Sequence, residues 1–204
     1  MKAGFIAVAG SIGAGKSSLI GFLQERFGIH PFYERNDENP FLDDFYRDMP
    51  AFAFPAQVWF LARKFKAHRE IGHFDLPAVL DRTIYEDAEV FAAHHAERGL
   101  FPAREYETYL TLYRTIRDVL PPPKLLIYLK SSVRTQRRRI ALRGRPMELG
   151  LDPAYLRGLN RLYRGWIGRW QASPVLMLDA DRLDFVADLA HQADLLTALR
   201  KQLA

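Results

Sequence analysis

The 204-residue chain contains no cysteine. That excludes disulfides, thiolate metal centres and a cysteine nucleophile, and is compatible with any redox compartment. No apolar run approaches the ~18 residues that span a bilayer. No linker, repeat or low-complexity tract interrupts the chain, and its Gly and Pro fall at turns. With 49% hydrophobic and 26% charged residues, disorder and collagen-like structure are excluded as overall descriptions. The length predicts a single domain over residues 1–204, long enough to bury a core unaided. The opening MKAGFIAVAG has the form of a short export signal. SIGAGKSS, which follows, continues a strand into a turn better than it makes a cleavage site, so a cytoplasmic protein is expected.

The net charge of +5 is unevenly spread. From Lys130 to Arg169 eleven Lys or Arg stand against Glu148 and Asp152 alone, leaving the rest of the chain net acidic. A basic block is ordinarily a solvated helix face or a nucleic-acid patch, and alternatively a cluster gathered around a polyphosphate. Composition does not choose between these readings.

Short apolar runs alternate with helical stretches. The expected strands are Gly4–Ala9, Ile29–Tyr33, Ala78–Leu80, Leu125–Leu129 and Val175–Leu178. The expected helices are Lys16–Phe27, Pro40–Tyr46, Pro55–Ile71, Tyr85–Arg98, Pro102–Leu120, Ser132–Leu142, Pro153–Trp170 and about Phe185 to Gln202. Strands joined through helices imply right-handed crossovers and a parallel sheet. FIAVA and LLIYL are apolar on both sides, as strands covered on both faces require. The predicted class is α/β, with ligands at the carboxyl ends of the strands.

Gly10-Ser11-Ile12-Gly13-Ala14-Gly15-Lys16-Ser17 matches G-x-x-x-x-G-K-[ST] between the first strand and the first helix. A random chain of this length would contain that pattern about once in a hundred. Its glycines bring backbone N–H groups to phosphate oxygens, and the helix N-terminus adds its positive dipole end. The loop predicts a polyphosphate ligand and by itself names no reaction. Lys16 would reach the terminal phosphates, Ser18 continues the cradle, and the Ser17 hydroxyl is placed to ligate Mg²⁺.

No N-K-x-D guanine motif follows, which argues against a GTPase. The third strand ends in Asp81-Arg82, an arrangement suited to a kinase: the acid supports Mg²⁺ and the arginine neutralises transferring charge. A capping Asp beside a surface Arg is the bland alternative. Glu34, after the second strand, falls in the same crevice. It would accept a hydroxyl proton, form a salt bridge with Arg82 or Arg35, or do both.

These residues carry a resemblance to the deoxyribonucleoside kinase family that runs nearly end to end. GSIGAGKS, Glu34 with ENPFLDDFY, FAFPAQ, DRTIYEDAEVFA, RIALRGRPMEL and LDADRLDF are the matching segments. The resemblance implies a P-loop NTPase-type three-layer α/β/α fold, with a five-stranded parallel sheet and an Arg-rich lid over about 137–149. Glu34 would activate the sugar 5′-hydroxyl and Arg82 would hold it. Tyr46 and Glu148 would bind the 3′-hydroxyl. Gln57 and Asp87 would read the base edge while Phe91 stacks on the ring, an amide offering both hydrogen-bond senses and an aromatic face suiting a flat base.

The basic block then resembles the family's lid. Arg139 and Arg143 lie one helical turn apart and are the candidates for donor-phosphate contacts. Arg137, Arg138, Arg157, Arg161 and Arg164 are expected to be solvated. Asp179 to Phe185 resembles the loop that holds the donor's adenine. Glu34 is followed by Arg35 where many relatives have Pro, and Phe52 stands where Trp is common. Gln57 with DRTIYED is similar to the bacterial deoxyadenosine and deoxycytidine kinases, and Lys64 is close enough along its helix to touch a purine.

The expected activity is ATP-dependent phosphorylation of a deoxynucleoside 5′-hydroxyl: deoxyadenosine first, then deoxycytidine or deoxyguanosine. The alternative is a nucleoside monophosphate kinase of the thymidylate kinase type. Neither nucleic acid nor membrane is expected as a partner. The resemblance implies a homodimer through a helix bundle.

Overall fold

The computed structural model describes residues 4–183 and 188–203. Its centre is a five-stranded parallel sheet in the order β2-β3-β1-β4-β5. The strands are β1 (Ile6–Ala9), β2 (His30–Phe32), β3 (Ala78–Asp81), β4 (Leu125–Lys130) and β5 (Val175–Asp179). Helices intervene between every consecutive pair, as parallel pairing demands. The α/β class and five parallel strands expected from the alternation are those found.

Side chains two apart along a strand share a face, and that divides the core into two layers. Ala7 and Ala9 of β1, with Leu126 and Tyr128 of β4, pack beneath α3 (Met49–Gly72), α6 (Ala103–Arg117) and α9 (Pro153–Arg169). Ile6, Val8, Leu125, Ile127 and Leu129 face the other way, onto α1 (Lys16–Phe27) and α10 (Leu189–Leu203). Fully burying each larger aliphatic side chain in these layers contributes roughly 1.5–3 kcal/mol. Among the described residues, no helix is long and apolar enough to cross a membrane.

Several boundaries move, each for a physical reason. β2 keeps three residues of the expected Ile29–Tyr33; it is an edge strand, which tolerates the missing N–H of Pro31. α2 spans Leu42–Arg47 rather than beginning at Pro40. α3 starts six residues before Pro55, because the Asp48 side chain accepts from the Ala51 N–H at 3.2 Å and caps the helix there. The carbonyl that Pro55 leaves unpaired belongs to Ala51, which is solvent-exposed. The stretch expected as one helix over 85–98 is α4 (Ile84–Glu86), a π-helical segment Asp87–Ala92, and α5 (Ala93–Glu97). α6 stops at Arg117, three residues before Leu120. The lid region is α7 (Val133–Arg143), a left-handed turn at Gly144 and α8 (Pro146–Leu149). The expected start of the last helix near Phe185 lies outside the described residues.

Candidate active site

Three adjacent strands deliver the site. The phosphate loop leaves the end of β1, Glu34 follows β2, and Asp81 ends β3. In the loop Gly13 has φ 74°, and a Cβ there would lie 2.6 Å from the Gln136 carbonyl oxygen, so only glycine fits. Gly15, with φ 101°, begins α1 without any side-chain cap. The first-turn N–H groups are thus left to an anion. A cavity of about 540 Å³ opens at this point, lined by Gly13, Gly15, Lys16, Ser17 and Ser18 on one side and by Arg138, Arg139, Leu142 and Arg143 on the other.

Not every loop residue faces that cavity. The Gly10 N–H donates to Glu86 Oε1 at 3.1 Å. Ser11 is buried, and its carbonyl accepts from the Ala14 N–H and the Lys16 ammonium. Ile12 lines the neighbouring cavity instead. The Lys16 ammonium also reaches the Gly10 carbonyl at 2.9 Å. Burial and the nearby Arg82 lower the Lys16 pKa to about 8, although Asp81, Glu86 and Glu34 support its charge.

The neighbouring cavity, of about 300 Å³, brings Lys16, Ser17, Glu34, Asp81 and Arg82 together with Tyr46, Gln57, Asp87, Phe91, Arg143 and Glu148. Glu34 lies 2.5 Å from Lys64 Nζ and 3.1 Å from Arg82 Nε. Burial pushes its carboxyl upward, but Lys64, Arg82 and Lys16 outweigh that and bring it down to about 2. The expected pairing with Arg82 is therefore present; Arg35 pairs with Glu38 instead. Lys64 also contacts Asp87 at 2.8 Å, so one buried ammonium joins the carboxylate after β2 to the acid of the π-helical segment. Burial raises the Asp87 pKa, and Lys64 offsets this only in part. Burial likewise raises that of Asp81, whose Oδ1 has no hydrogen-bond partner.

Arg82 is held from several sides. Its backbone is left-handed, φ 64°, at a cost of roughly 1–2 kcal/mol for a residue with a Cβ. Its N–H donates to the Val8 carbonyl at 3.1 Å, and its guanidinium carbon lies 4.4 Å from the Phe91 ring centroid. Phe91 thus supports the arginine as well as lining the cavity. Gln57 is buried with its Oε1 unpartnered, an unmet acceptor at the cavity wall.

The two lid arginines diverge. Arg139 donates to the Ala14 carbonyl at 2.6 Å and to the Ala180 carbonyl at 3.1 Å, fastening α7 to the loop and to the turn after β5. Arg143 pairs with Glu148, which Arg145 also approaches at 3.5 Å. Arg137, Arg138, Arg157, Arg161 and Arg164 are exposed, as expected, and Arg161 pairs with Glu97. Ala180 to Leu183 line the cavity at the phosphate loop, while Asp184 and Phe185 of the expected adenine loop lie outside the described residues.

The deoxynucleoside kinase family model matches residues 6–204. The chain belongs to the deoxynucleoside kinase family. The kinase is 37% identical to the deoxyadenosine/deoxycytidine kinase of Bacillus subtilis over 92% of this chain and 87% of that protein. It is 38% identical to the deoxyguanosine kinase of Lactobacillus johnsonii, covering 95% of this chain and 90% of that one. Among solved structures it resembles the deoxyadenosine kinase from M. mycoides with the products dCMP and dCDP bound: TM-score 0.85, 27% identity, 97% of this chain and 98% of that one. A second structure of that enzyme, with bound dATP, also gives a TM-score of 0.85, with 27% identity over 98% of this chain and 100% of that one.

Two features of this kinase's site escape a sequence reading. Lys64 touches both Glu34 and Asp87, and only the approach of α3 to the segment after β2 and to the π-helical segment shows it. Glu86, wholly buried between the loop and Arg82, carried one faint signal: it stands four residues after Arg82, at helical ion-pair spacing.

Proposed function

We propose that this kinase transfers the γ-phosphoryl group of ATP to the 5′-hydroxyl of a deoxyribonucleoside in the cytoplasm, with deoxyadenosine preferred and deoxycytidine or deoxyguanosine next. The observation that carries this reading is that Lys16 and Glu34 line one cavity, whose volume of about 300 Å³ suits a small molecule. In this reading the loop N–H groups and Lys16 hold the donor phosphates, and Arg139 and Arg143 close over them from the lid. Arg82 meets the charge developing on the transferred group, and Glu34 orients the 5′-hydroxyl and takes its proton.

At the other end, Tyr46 and Glu148 hold the 3′-hydroxyl and Phe91 supports the base. The Asp87 carboxylate and the free Gln57 carbonyl are acceptors, so they suit the exocyclic amine that adenine and cytosine present. Ser17 and the unpartnered Asp81 Oδ1 on the same cavity fit Mg²⁺, which takes oxygen ligands and usually one or two carboxylates. When bound it would supply charge neutralisation at the phosphates. We read the homodimer implied by the family as using α6, where Leu112 is 42% exposed. A solution mass near that of one 23.5 kDa chain would overturn that.

The monophosphate kinase alternative requires cations free for the acceptor's own phosphate. Lys64 and Arg82 are already engaged by Glu34, and Asp81 and Asp87 add negative charge beside them. An ATP-coupled assay across the four deoxynucleosides and deoxyadenosine monophosphate tests the reading. Deoxyadenosine should be consumed fastest and the monophosphate not at all; the reverse would establish the alternative.

A further inference from the structure

Glu86 is fully excluded from solvent and lines neither cavity. Three donors converge on its Oε1: the Gly10 N–H at 3.1 Å, Arg82 Nη1 at 3.4 Å and, closest, the Tyr163 hydroxyl. Its Oε2 has no partner. Burial pushes the Glu86 pKa up, while Arg82, Lys16, the Tyr163 hydroxyl and the Gly10 N–H oppose that and favour the carboxylate. A buried carboxylate is an expensive way to fill space, since an apolar side chain of similar volume would serve folding at least as well. The placement of Glu86 suggests what it does instead. Gly10 begins the phosphate loop after β1, and Arg82 follows β3 on the adjacent strand, where Val8 pairs with Asp81. The Arg82 N–H to Val8 carbonyl bond joins the two strand ends through backbone. Glu86 adds a charged link from the loop to the arginine's guanidinium.

We propose that Glu86 is a positioning residue that locks the donor loop and the acceptor-side arginine into one unit. It fixes the first turn of the loop from below, leaving later N–H groups for phosphate. It also balances the Arg82 charge on the side away from Glu34, so that the guanidinium is aimed rather than drawn wholly to the base. This rests on the reading of Glu34 and Arg82 as the acceptor end of the site.

The test compares Glu86→Gln and Glu86→Ala with Glu34→Gln, measuring kcat and KM for deoxyadenosine, ATP affinity by calorimetry and thermal unfolding. Gln keeps an acceptor for Gly10 and Tyr163 but removes the charge facing Arg82. Glu86→Gln should lower kcat/KM about 10-fold and Glu86→Ala about 100-fold, charge-assisted bonds being the stronger ones. ATP affinity and the deoxyadenosine KM should both worsen, because the two ends are linked. In Glu86→Gln, which keeps the side chain's shape and an acceptor, these losses should come with the thermal unfolding temperature unchanged. A filler of space would lose stability and leave the kinetics and ATP affinity of the folded enzyme intact. Wild-type kinetics and ATP affinity in Glu86→Gln, with Glu34→Gln inactive, would overturn the proposal alone. Full activity in Glu34→Gln would instead remove the acceptor-site reading on which it rests. Should Glu86→Ala not fold, the Gln variant decides by itself.

Discussion

Glu34→Gln should lower turnover by roughly 10²–10⁴-fold, the range for losing a positioned general base, while ATP binding stays intact. The geometry sets how Glu34 works. With Lys64 and Arg82 against its two oxygens and a pKa brought down to about 2, Glu34 is fully ionised at neutral pH. So low a pKa makes it a weak proton acceptor in the empty site, and a 5′-hydroxyl that displaced one of the two cations would meet a more basic carboxylate. Asp87 offers Lys64 an alternative partner, so the ammonium can lean away while remaining paired. Activity should therefore show no acid limb near the ordinary carboxylate value of 4.5 that traces to Glu34 in the free enzyme. Rapid-quench turnover with ATP titrated separately checks this, and near-normal turnover would remove Glu34 from the mechanism.

Lys16→Ala should abolish phosphorylation of every deoxynucleoside alike, a loss of at least about 10²–10³-fold, as for removing one preorganised donor from a transition-state oxyanion. The effect should be uniform because Lys16 belongs to the loop and meets the donor, whichever base fills the other end. Its pKa of about 8 gives a second, independent readout. The protonated form is the one that holds phosphate, so kcat/KM should be level below that pH and fall as pH rises through it. Retained rate in Lys16→Ala across the substrate panel would mean the loop is not the donor site.

The local grammar of the chain carried the fold and the place of the phosphate loop. Apolar runs and helical periods predicted five parallel strands, and a contiguous motif placed the phosphate loop, because in both cases the interacting residues are close in sequence. The errors were local too: Pro55 marked a false helix start because a proline in the second turn of a helix can be tolerated where the carbonyl it orphans is exposed. The π-helical segment at Asp87–Ala92 leaves no periodic signature over six residues.

What only the tertiary structure decided is which charges meet. Glu34, Lys64 and Asp87 come from three separate elements, and their order in the chain does not reveal that one ammonium lies between two carboxylates. Nor does it reveal that Arg139 is fastened to backbone carbonyls while Arg143 turns to Glu148. Those partnerships depend on distances set by helix packing over the sheet. Coulombic energies inside a low-dielectric site change steeply with such distances, so residue types alone named the chemistry and the folded geometry settled its balance.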